Sequence, residues 1–317
     1  RMSRAGLECL EAFGMPVERH GYLTLAGPAG AALLRDQHAV QKSEGADIAL
    51  LGPAALAERF PWLNVSDVAL GALGLAGEGW FDGPGFHGAL LSRARALGVS
   101  MREAEATGFG RGADGAIDSV QLASGERIAC RHAVNAAGPW ARSLAATVGI
   151  GLPVHARRRT VFVLSCPTPI PGSPLVIDPE GFWFRPEGRF FIAGAAPASD
   201  ADDLPLEPDY TEFDEALWAR MAHRVPAFEA LRVERAWAGY YEMNVVDGNA
   251  ILGAHPAVPN LWFANGFSGH GMQHAAAAGR GIAERIVHGA YRSLDLSSLG
   301  FERLLEGRPL REDRIIG

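Results

Sequence analysis

The stretch that decides the fold is Asn265-Gly266-Phe267-Ser268-Gly269-His270-Gly271-Met272-Gln273, which follows the apolar run 261–264 and precedes a helix predicted over 271–288. Three glycines in six residues allow a backbone to approach a ligand closely. A helix that begins after such a turn offers N–H groups without intrahelical partners and a partial positive charge. The pattern predicts a site for an anionic or electron-rich ligand edge, although a Gly-rich turn before a well-packed helix accounts for the same residues.

Two other kinds of chemistry fit this stretch less well. His270 and His274 have an i, i+4 spacing that suits a metal, but there is no HExxH motif and no third ligand is evident, so no metal is predicted. The segment 266–269 resembles a nucleophile elbow, yet His270 stands where that motif needs glycine. Ser268 is therefore interpreted as a turn or helix-capping residue.

Composition restricts the class of protein. The chain has 317 residues, enough for two domains or one two-lobed unit, and 48% apolar and 21% charged residues indicate a soluble globular protein. No apolar run reaches the roughly 18–20 residues of a membrane span. A net charge of −7 argues against nucleic acid or an anionic membrane as partner. Three cysteines without a CxxC spacing fit a reducing compartment, and Lys42 is the only lysine.

Periodicity predicts an α/β region and a region of short antiparallel strands. The first contains helices over 3–13, 86–97, 141–148 and 271–288, a strand over 99–109 and a hairpin over 119–130. The second contains strands over 160–164, 175–177, 182–185 and 190–193. Residues 297–317 are interpreted as a polar, Arg-rich tail.

A second small-residue segment carries a resemblance. Val134-Asn135-Ala136-Ala137-Gly138-Pro139-Trp140-Ala141, taken with residues 266–271, resembles the D-amino-acid oxidase/sarcosine oxidase family of FAD-dependent oxidoreductases. The segments 59–62, 78–82, 237–244 and 314–316 are similar to a narrower branch, which includes a flavoprotein implicated in assembly of mitochondrial complex I and its bacterial relatives. The order and spacing of these motifs extend the resemblance over nearly the whole chain.

The resemblance implies an α/β fold in which a Rossmann-like FAD-binding domain (1–20, 82–146 and 245–292) is interleaved with a mixed-sheet substrate domain (21–81 and 147–244), followed by a tail (293–317). It also implies contacts with FAD. Those beside the adenine and the dinucleotide backbone are Glu105, Ala106, Asn135, Ala136, Ala137, Gly138 and Trp140. Those at the pyrimidine end of the flavin are Gly266, Phe267, Ser268, Gly269, His270, Gly271, Met272 and Gln273.

One part of the family pattern is missing. The opening strand, its GxGxxG turn and the acidic residue for the ribose are absent, and the sequence begins at Arg1 rather than at methionine. We expect a βαβ unit to precede Arg1 in a longer protein.

The resemblance also assigns catalytic roles. Tyr240 and Tyr241 alternate on a predicted strand, so only one of them can face the flavin. Relatives that bind an amino-acid carboxylate often have an arginine near the position of Tyr241, and Arg185 is the best remaining candidate for that role. Gln273 matches a segment in which monomeric sarcosine oxidases carry a lysine that speeds the reaction with oxygen. Trp80 and Trp140 are interpreted as packing groups.

The function implied is oxidation of a C–N bond in a secondary amine or amino acid, with electrons passed from FAD to an acceptor. Neutral Gln273 favours a dehydrogenase over an oxidase, because a cation near the flavin stabilises developing superoxide. The alternative is an assembly or scaffold protein for a respiratory complex that retains a flavoprotein fold. The implied location is a bacterial cytoplasm, either free or peripheral to the inner membrane.

Overall fold

Helices and short strands alternate along the chain and form two structural units. The computed structural model describes residues 1–197, 201–202 and 204–310. One unit contains residues 1–16, 82–157 and 240–310, and we call it the turn unit because it contains the stretch 265–273. The other contains the described residues within 17–81 and 158–239, and we call it the sheet unit. The predicted roles of these two parts in FAD and substrate binding remain predictions.

The strands are numbered in chain order. They are β1 (Val17–Glu18), β2 (Tyr22–Ala26), β3 (Ile48–Leu51), β4 (Leu70–Gly74), β5 (Trp80–Phe81), β6 (Ala106–Arg111), β7 (Ile117–Leu122), β8 (Arg127–Ala129), β9 (Ala133–Asn135), β10 (Val154–Ser165), β11 (Leu175–Ile177), β12 (Phe182–Glu187), β13 (Phe190–Ala195), β14 (Arg232–Asn244), β15 (Ile251–His255) and β16 (Val258–Asn265).

The helices are numbered likewise. They are α1 (Met2–Ala12), α2 (Ala31–Ser43), α3 (Pro53–Arg59), α4 (Gly83–Ala96), α5 (Ala141–Ala146), α6 (Trp218–Arg224), α7 (Gly271–His288) and α8 (Glu302–Leu305). A π-helical turn over Phe213–Leu217 precedes α6, and short 3₁₀ turns occur at Gly138–Trp140, Pro226–Ala230 and Ser297–Leu299. Together with the mixed sheets, these elements confirm the predicted α/β class.

The turn unit is built around a small sheet in the order β15-β16-β9. β16 pairs in parallel with β9, with Leu261 opposite Ala133 and Phe263 opposite Asn135, and it pairs antiparallel with β15. Leu261 and Phe263 are fully buried in the adjacent core. Because β9 and β16 are parallel, their carboxyl ends lie at the same edge of the sheet.

The sheet unit is dominated by an eight-stranded sheet in the order β14-β10-β13-β12-β11-β2-β4-β3. The pairs of β10 with β13, β13 with β12 and β12 with β11 are antiparallel, as the sequence predicts. β11 pairs in parallel with β2, so the sheet is mixed. Its core is rich in phenylalanine, with Phe162, Phe182, Phe184 and Phe228 almost fully buried.

The predicted strand over 99–109 is wrong in its first half. Strand structure begins only at Ala106, and residues 99–105 have no ladder partner among the described residues. Val99 and Met101 are exposed, at 51% and 40%, so neither is held in a core as a buried strand residue would be. An extended segment without a partner cannot satisfy its N–H and C=O groups as a strand does.

Part of the predicted tail is packed into the turn unit. Phe301 is 1% exposed and contacts Phe263, with ring centroids 5.2 Å apart. Arg303, which is also buried, donates through Nε to Asp247 Oδ2 at 2.9 Å. The motif 314–316 lies outside the described residues. No helix in the described part of the chain is both long and apolar enough to cross a bilayer.

Candidate active site

The turn between β16 and α7 has an unusual backbone. Gly266, Ser268 and Gly269 have φ angles of 71°, 51° and 95°, and Ser268 is the one described residue other than glycine with positive φ. Its left-handed conformation is held by its hydroxyl, which accepts from the Asn244 N–H at 3.0 Å and donates to the Gly266 carbonyl at 3.1 Å. Both hydrogen bonds engage the Ser268 hydroxyl with the turn and its neighbour β14, which fits the interpretation of Ser268 as a turn residue.

β14 lies directly against this turn. The Ser268 N–H donates to the Glu242 carbonyl at 3.2 Å. A Cβ placed on Gly269 would come within 2.8 Å of Cε2 of Tyr241, and one on Gly266 within 3.0 Å of the Asn244 Cβ. The approach at Gly269 is closer than real Cβ atoms show, and the approach at Gly266 is tight, so contact as well as positive φ favours glycine at both positions.

α7 begins at Gly271 with its N-terminus uncapped. His270 precedes it, and the His270 side chain makes no capping hydrogen bond. The first N–H groups of a helix have no intrahelical acceptor, so this end attracts negative charge. α1 packs against the same end, because a Cβ on Gly6 would overlap the Gln273 carbonyl oxygen. The Gln273 backbone is therefore held in place, while its side chain is exposed.

His270 and His274 stack with their ring centroids 5.7 Å apart and an interplanar angle of 14°. Burial, helped by the nearby His270, lowers the pKa of His274 to about 4, so this imidazole is neutral at physiological pH. The described residues contain no group of three or more His, Cys, Asp or Glu side chains that could hold a metal ion.

The second motif lies at the same sheet edge. Asn135, at the end of β9, is buried and donates through Nδ2 to the Ala141 carbonyl at 2.9 Å, while its Oδ1 accepts from the Ala137 N–H at 3.2 Å. Gly138 has φ 54° and opens a 3₁₀ turn. The carboxyl edge of parallel strands is where open α/β sheets bind ligands. The structure thus brings together the turns that follow β9 and β16.

Trp140 corrects the sequence interpretation. It is 65% exposed rather than packed in a core, because it follows the turn at the sheet edge, and its ring meets Tyr240 edge-on at 6.4 Å. Tyr240 and Tyr241 point to opposite faces of β14, as strand alternation requires. Tyr240 faces Trp140, and Tyr241 covers Gly269.

Arg185 and Glu105 lie elsewhere in the chain, on or next to strands of other sheets. Arg185 belongs to β12 of the sheet unit, where its guanidinium stacks over the Trp80 ring at 5.0 Å and pairs with Glu187. Trp80 also stacks on His20, with ring centroids 5.2 Å apart. Glu105 precedes β6, accepts from the Ala123 N–H at 2.9 Å and lines a cavity of about 550 Å³; Ala106 is the first residue of β6.

A cavity of about 680 Å³ occupies the other end of α7, between Arg285, Tyr291 and Glu302. None of the predicted site residues lines it. The candidate site consists of the backbone turns after β9 and β16 and the start of α7.

Sequence reasoning assigned no role to Glu242 or to the side chain of Asn265. Burial raises the pKa of the Glu242 carboxyl above its usual range, against the opposite effect of the Gly266 and Phe267 N–H groups that donate to it. In the described part of the chain, Glu242 Oε2 and both heteroatoms of the fully buried Asn265 amide have no hydrogen-bond partner. The signal in the sequence was a carboxylate two residues after Tyr240, on the same strand face.

Known proteins are similar to this chain over the part that contains these motifs. The family model described as "DAO: FAD dependent oxidoreductase" matches residues 1–285. The FAD-dependent oxidoreductase domain-containing protein 1 of Xenopus laevis is 39% identical over 93% of this chain. The chain spans 66% of that protein's length. Human mitochondrial dimethylglycine dehydrogenase is 28% identical over 76% of this chain and 30% of its own.

Among solved structures, the L-proline dehydrogenase from P. horikoshii superposes with a TM-score of 0.88 at 25% identity, covering 98% of this chain and 84% of its own. The fold and site define a flavoprotein oxidoreductase. The chain belongs to the DAO family of FAD-dependent oxidoreductases, and FAD is the cofactor that this family uses.

The residues present fit FAD. Gly269 and His270, at the end of the positive-φ turn, are exposed, and the start of α7 that follows them suits an edge that gains negative charge. In the turn after β9, Gly138 gives a ligand a second place to approach the backbone closely, because the space where its Cβ would stand is open. Both features are typical of a site that binds a dinucleotide through its backbone.

Proposed function

We propose that this FAD-dependent oxidoreductase oxidises a C–N bond of a secondary amine or amino acid and acts as a dehydrogenase rather than an oxidase. The observation that carries the proposal is the parallel pairing of β9 with β16, which brings their two turns to one sheet edge beside the start of α7. The names of proteins similar to this chain, dimethylglycine dehydrogenase and L-proline dehydrogenase, support the substrate class.

The residues that would hold FAD are those of the two turns. The backbone of residues 135–140 would approach the dinucleotide, and the backbone of residues 266–273 would hold the flavin end. Glu105 and Ala106 would lie along the adenine. When bound, FAD supplies the two-electron acceptor for C–N oxidation, and the protein supplies binding, orientation and electrostatics.

The side chains of this chain would then do three things. Trp140 and Tyr240, which meet edge-on, would provide apolar ring surface that excludes water from a bound amine. Tyr241 would keep the Gly269 backbone in place. Arg185 would bind a substrate carboxylate, and a substrate would have to displace Glu187 to do so.

Gln273 supports the choice of dehydrogenase. It is the third residue of α7, its side chain is exposed, and it carries no charge. Transfer of an electron to oxygen creates superoxide, which a nearby cation would stabilise. A neutral side chain offers no such stabilisation, so electrons would pass to an acceptor other than oxygen.

The test is turnover by the full-length protein with sarcosine, glycine, proline and dimethylglycine, followed in parallel with an artificial electron acceptor and with oxygen alone. We expect at least one amine to reduce the artificial acceptor much faster than it consumes oxygen. Equal rates with both acceptors would reject the dehydrogenase assignment, and no turnover with any amine would reject the substrate class.

The alternative, a scaffold in assembly of a respiratory complex, is supported by the branch resemblance of the sequence. It predicts that the full-length protein co-purifies with respiratory subunits and that loss of amine turnover leaves this association intact. Fast amine turnover without recovery of any respiratory subunit would count against it.

A further inference from the structure

A buried ion pair joins the segment after α7 to the connection between β14 and β15. Arg303 is 4% exposed, and the Asp247 side chain is 0% exposed. The guanidinium donates through Nε to Asp247 Oδ2 at 2.9 Å and through Nη2 to Asp247 Oδ1 at 3.1 Å. Burial favours the neutral carboxyl, but hydrogen bonds from Arg303 and from the backbone hold the pKa of Asp247 below its usual range. The pair is therefore ionised at neutral pH.

Further hydrogen bonds of this pair hold the backbone on both sides. Arg303 donates to the Leu299 carbonyl at 2.7 Å and to the Asn249 carbonyl at 3.1 Å. Asp247 accepts from the N–H groups of Asn249 at 3.1 Å and Leu310 at 3.0 Å. The two segments are thus fixed to each other. Because a buried ion pair often adds little net stability, one contribution it can make is to specify a single geometry.

Asn244, the last residue of β14, connects the ion pair to the turn before α7. Its side chain donates through Nδ2 to Asp247 Oδ1 at 2.7 Å. Its backbone N–H donates to the Ser268 hydroxyl at 3.0 Å, and that hydroxyl donates to the Gly266 carbonyl at 3.1 Å. An unbroken series of hydrogen bonds therefore runs from Arg303 through Asp247 and Asn244 into the turn.

Packing links the same parts of the turn unit. A Cβ on Gly266 would come within 3.0 Å of the Asn244 Cβ, so these two residues have little room to shift separately. Phe301, two residues before Arg303, contacts Phe263 of β16 with ring centroids 5.2 Å apart. The segment that carries Arg303 is therefore linked to the turn through Asn244 and also through the strand that enters the turn.

We propose that Arg303 and Asp247 are positioning residues for the turn 265–270, which they hold through Asn244 and Ser268 in the shape that binds the flavin. The inference rests on the proposed function in one respect, namely that this turn holds the flavin. The ion pair acts through the hydrogen bonds that lead to the turn. It therefore sets the affinity for FAD and the surroundings of the flavin, as well as stability.

The test measures the FAD affinity of the full-length protein for R303M and R303K, with the visible spectrum of the bound flavin as a second readout. R303M removes the cation and its donors to Asp247, so FAD should bind about three- to thirtyfold more weakly and the spectrum should shift. R303K keeps the charge but not the fork of donors, so its affinity should lie between those of R303M and the wild type.

Arg224 supplies the matched control, because it forms a buried ion pair of the same kind in the sheet unit. Its side chain and that of Asp178 are each 1% exposed. R224M should lower the melting temperature, as R303M does, while leaving FAD affinity and spectrum unchanged. If R303M does not fold, the double variant R303M/D247N takes its place, because it leaves neither charge of this pair buried and unpaired.

A variant of Ser268 tests the route of the effect. S268G removes the hydroxyl that Asn244 contacts, and glycine adopts a φ of 51° without strain. R303M should weaken FAD binding much less in the S268G protein than in the wild type, because residues in one hydrogen-bond network are not additive. Equal weakening by R303M in both proteins would overturn the inference.

The outcomes separate this inference from the proposed function. Absence of FAD uptake by the wild-type protein would overturn both. Uptake by the wild type, with affinity and spectrum unchanged in R303M although its melting temperature falls, would overturn the positioning role alone. Equal weakening of FAD binding in R303M and R224M would do the same, because it would reflect a general loss of stability. Weaker binding and an altered spectrum in R303M, but not in R224M, would support the positioning role.

Discussion

Gly269 lies beneath the ring of Tyr241, so close that a Cβ on the glycine would come within 2.8 Å of the tyrosine Cε2. Gly269 also has φ 95°, a conformation that side chains rarely adopt. This contact adds to the hydrogen bonds of Ser268 that join the last residues of β14 to the turn before α7. This fit is important because it determines where the backbone of the turn offers its N–H groups.

Replacement of Gly269 by alanine should disrupt the site. The new methyl group must displace the Tyr241 ring or the turn, and the left-handed φ adds strain of about 1–3 kcal/mol. We expect G269A to lose most of its bound flavin and to unfold at a lower urea concentration. Flavin absorbance and urea denaturation measure the two effects.

Gly279 provides the control within α7. Nothing lies within 4 Å of a Cβ placed there, and its φ is not positive. G279A should stabilise the protein by about 0.4–1 kcal/mol and leave flavin content unchanged. If both glycine variants behave alike, the contact with Tyr241 is not what fixes the turn.

A buried ion pair should dominate the stability of the sheet unit. Arg224 is 0% exposed, and its Nε donates to Asp178 Oδ2 at 2.5 Å. It also binds both oxygens of Asp67, which holds the pKa of that carboxyl below its usual range. Removal of the cation leaves Asp178, which is 1% exposed, as an uncompensated buried charge. R224M should lower the free energy of unfolding by about 3–5 kcal/mol.

The double variant R224M/D178N tests the reason for that loss. The asparagine introduced by D178N is neutral and could still accept the Glu180 N–H that Asp178 accepts at 2.9 Å. Stability should recover in part relative to R224M alone, as urea denaturation would show. A double variant less stable than R224M would mean that lost packing, not buried charge, causes the effect.

His274 should make stability depend on pH. Its pKa is about 4 in the folded chain, below the ordinary histidine value of 6.5, mainly because it is buried. Between these values the unfolded chain binds a proton that the folded chain does not, so stability falls as pH decreases from 6.5 toward 4. At 1.36 kcal/mol per pKa unit, and with partial exposure reducing the effect, the loss is about 1–2 kcal/mol.

The control for the wild-type protein is H274Q, whose side chain at position 274 does not titrate. Melting temperatures of the two proteins, measured from pH 7 to pH 4, should diverge, with the wild type losing more. Parallel curves would show that other groups account for the acid sensitivity.

Gln273 should control the reaction with oxygen. Q273K places a cation on the first turn of α7, where it would stabilise developing superoxide, so the reduced enzyme should react with oxygen at least about tenfold faster. Stopped-flow reoxidation measures this rate, with Q273M as a neutral control. No acceleration in Q273K would mean that the side chain at this position lies too far from the flavin to matter.

Local patterns predicted most of the fold. The helix over Gly271–His288 is where the glycine turn and the small-residue run placed it, and the hairpin of β7 and β8 follows its alternation. The absence of a strand over 99–105 was not predictable from propensity, because a strand needs a partner and propensity does not show whether one is present. Phe301 and Arg303 looked like parts of a polar tail, since a buried ion pair with Asp247 cannot be detected in a local pattern.

The site was predicted as backbone motifs rather than as side-chain contacts. The glycines of both turns could be recognised because glycines at such spacing indicate a backbone that turns tightly and can approach a ligand closely. The exposure of Trp140 and the role of Tyr241 as a cover for Gly269 depend on how β14 pairs and twists, which alternation alone does not give. Glu242 is a similar case, since its burial against the turn is set by tertiary contact.

The most direct test of the central claim is anaerobic addition of sarcosine, glycine, proline or dimethylglycine to the full-length protein while the visible absorbance of its flavin is recorded. If the protein is an FAD-dependent amine oxidoreductase, at least one of these compounds should bleach the flavin. The bleached protein should then stay reduced until an electron acceptor is added. A flavin spectrum unchanged by every amine, in a protein that dithionite reduces fully, would contradict the account.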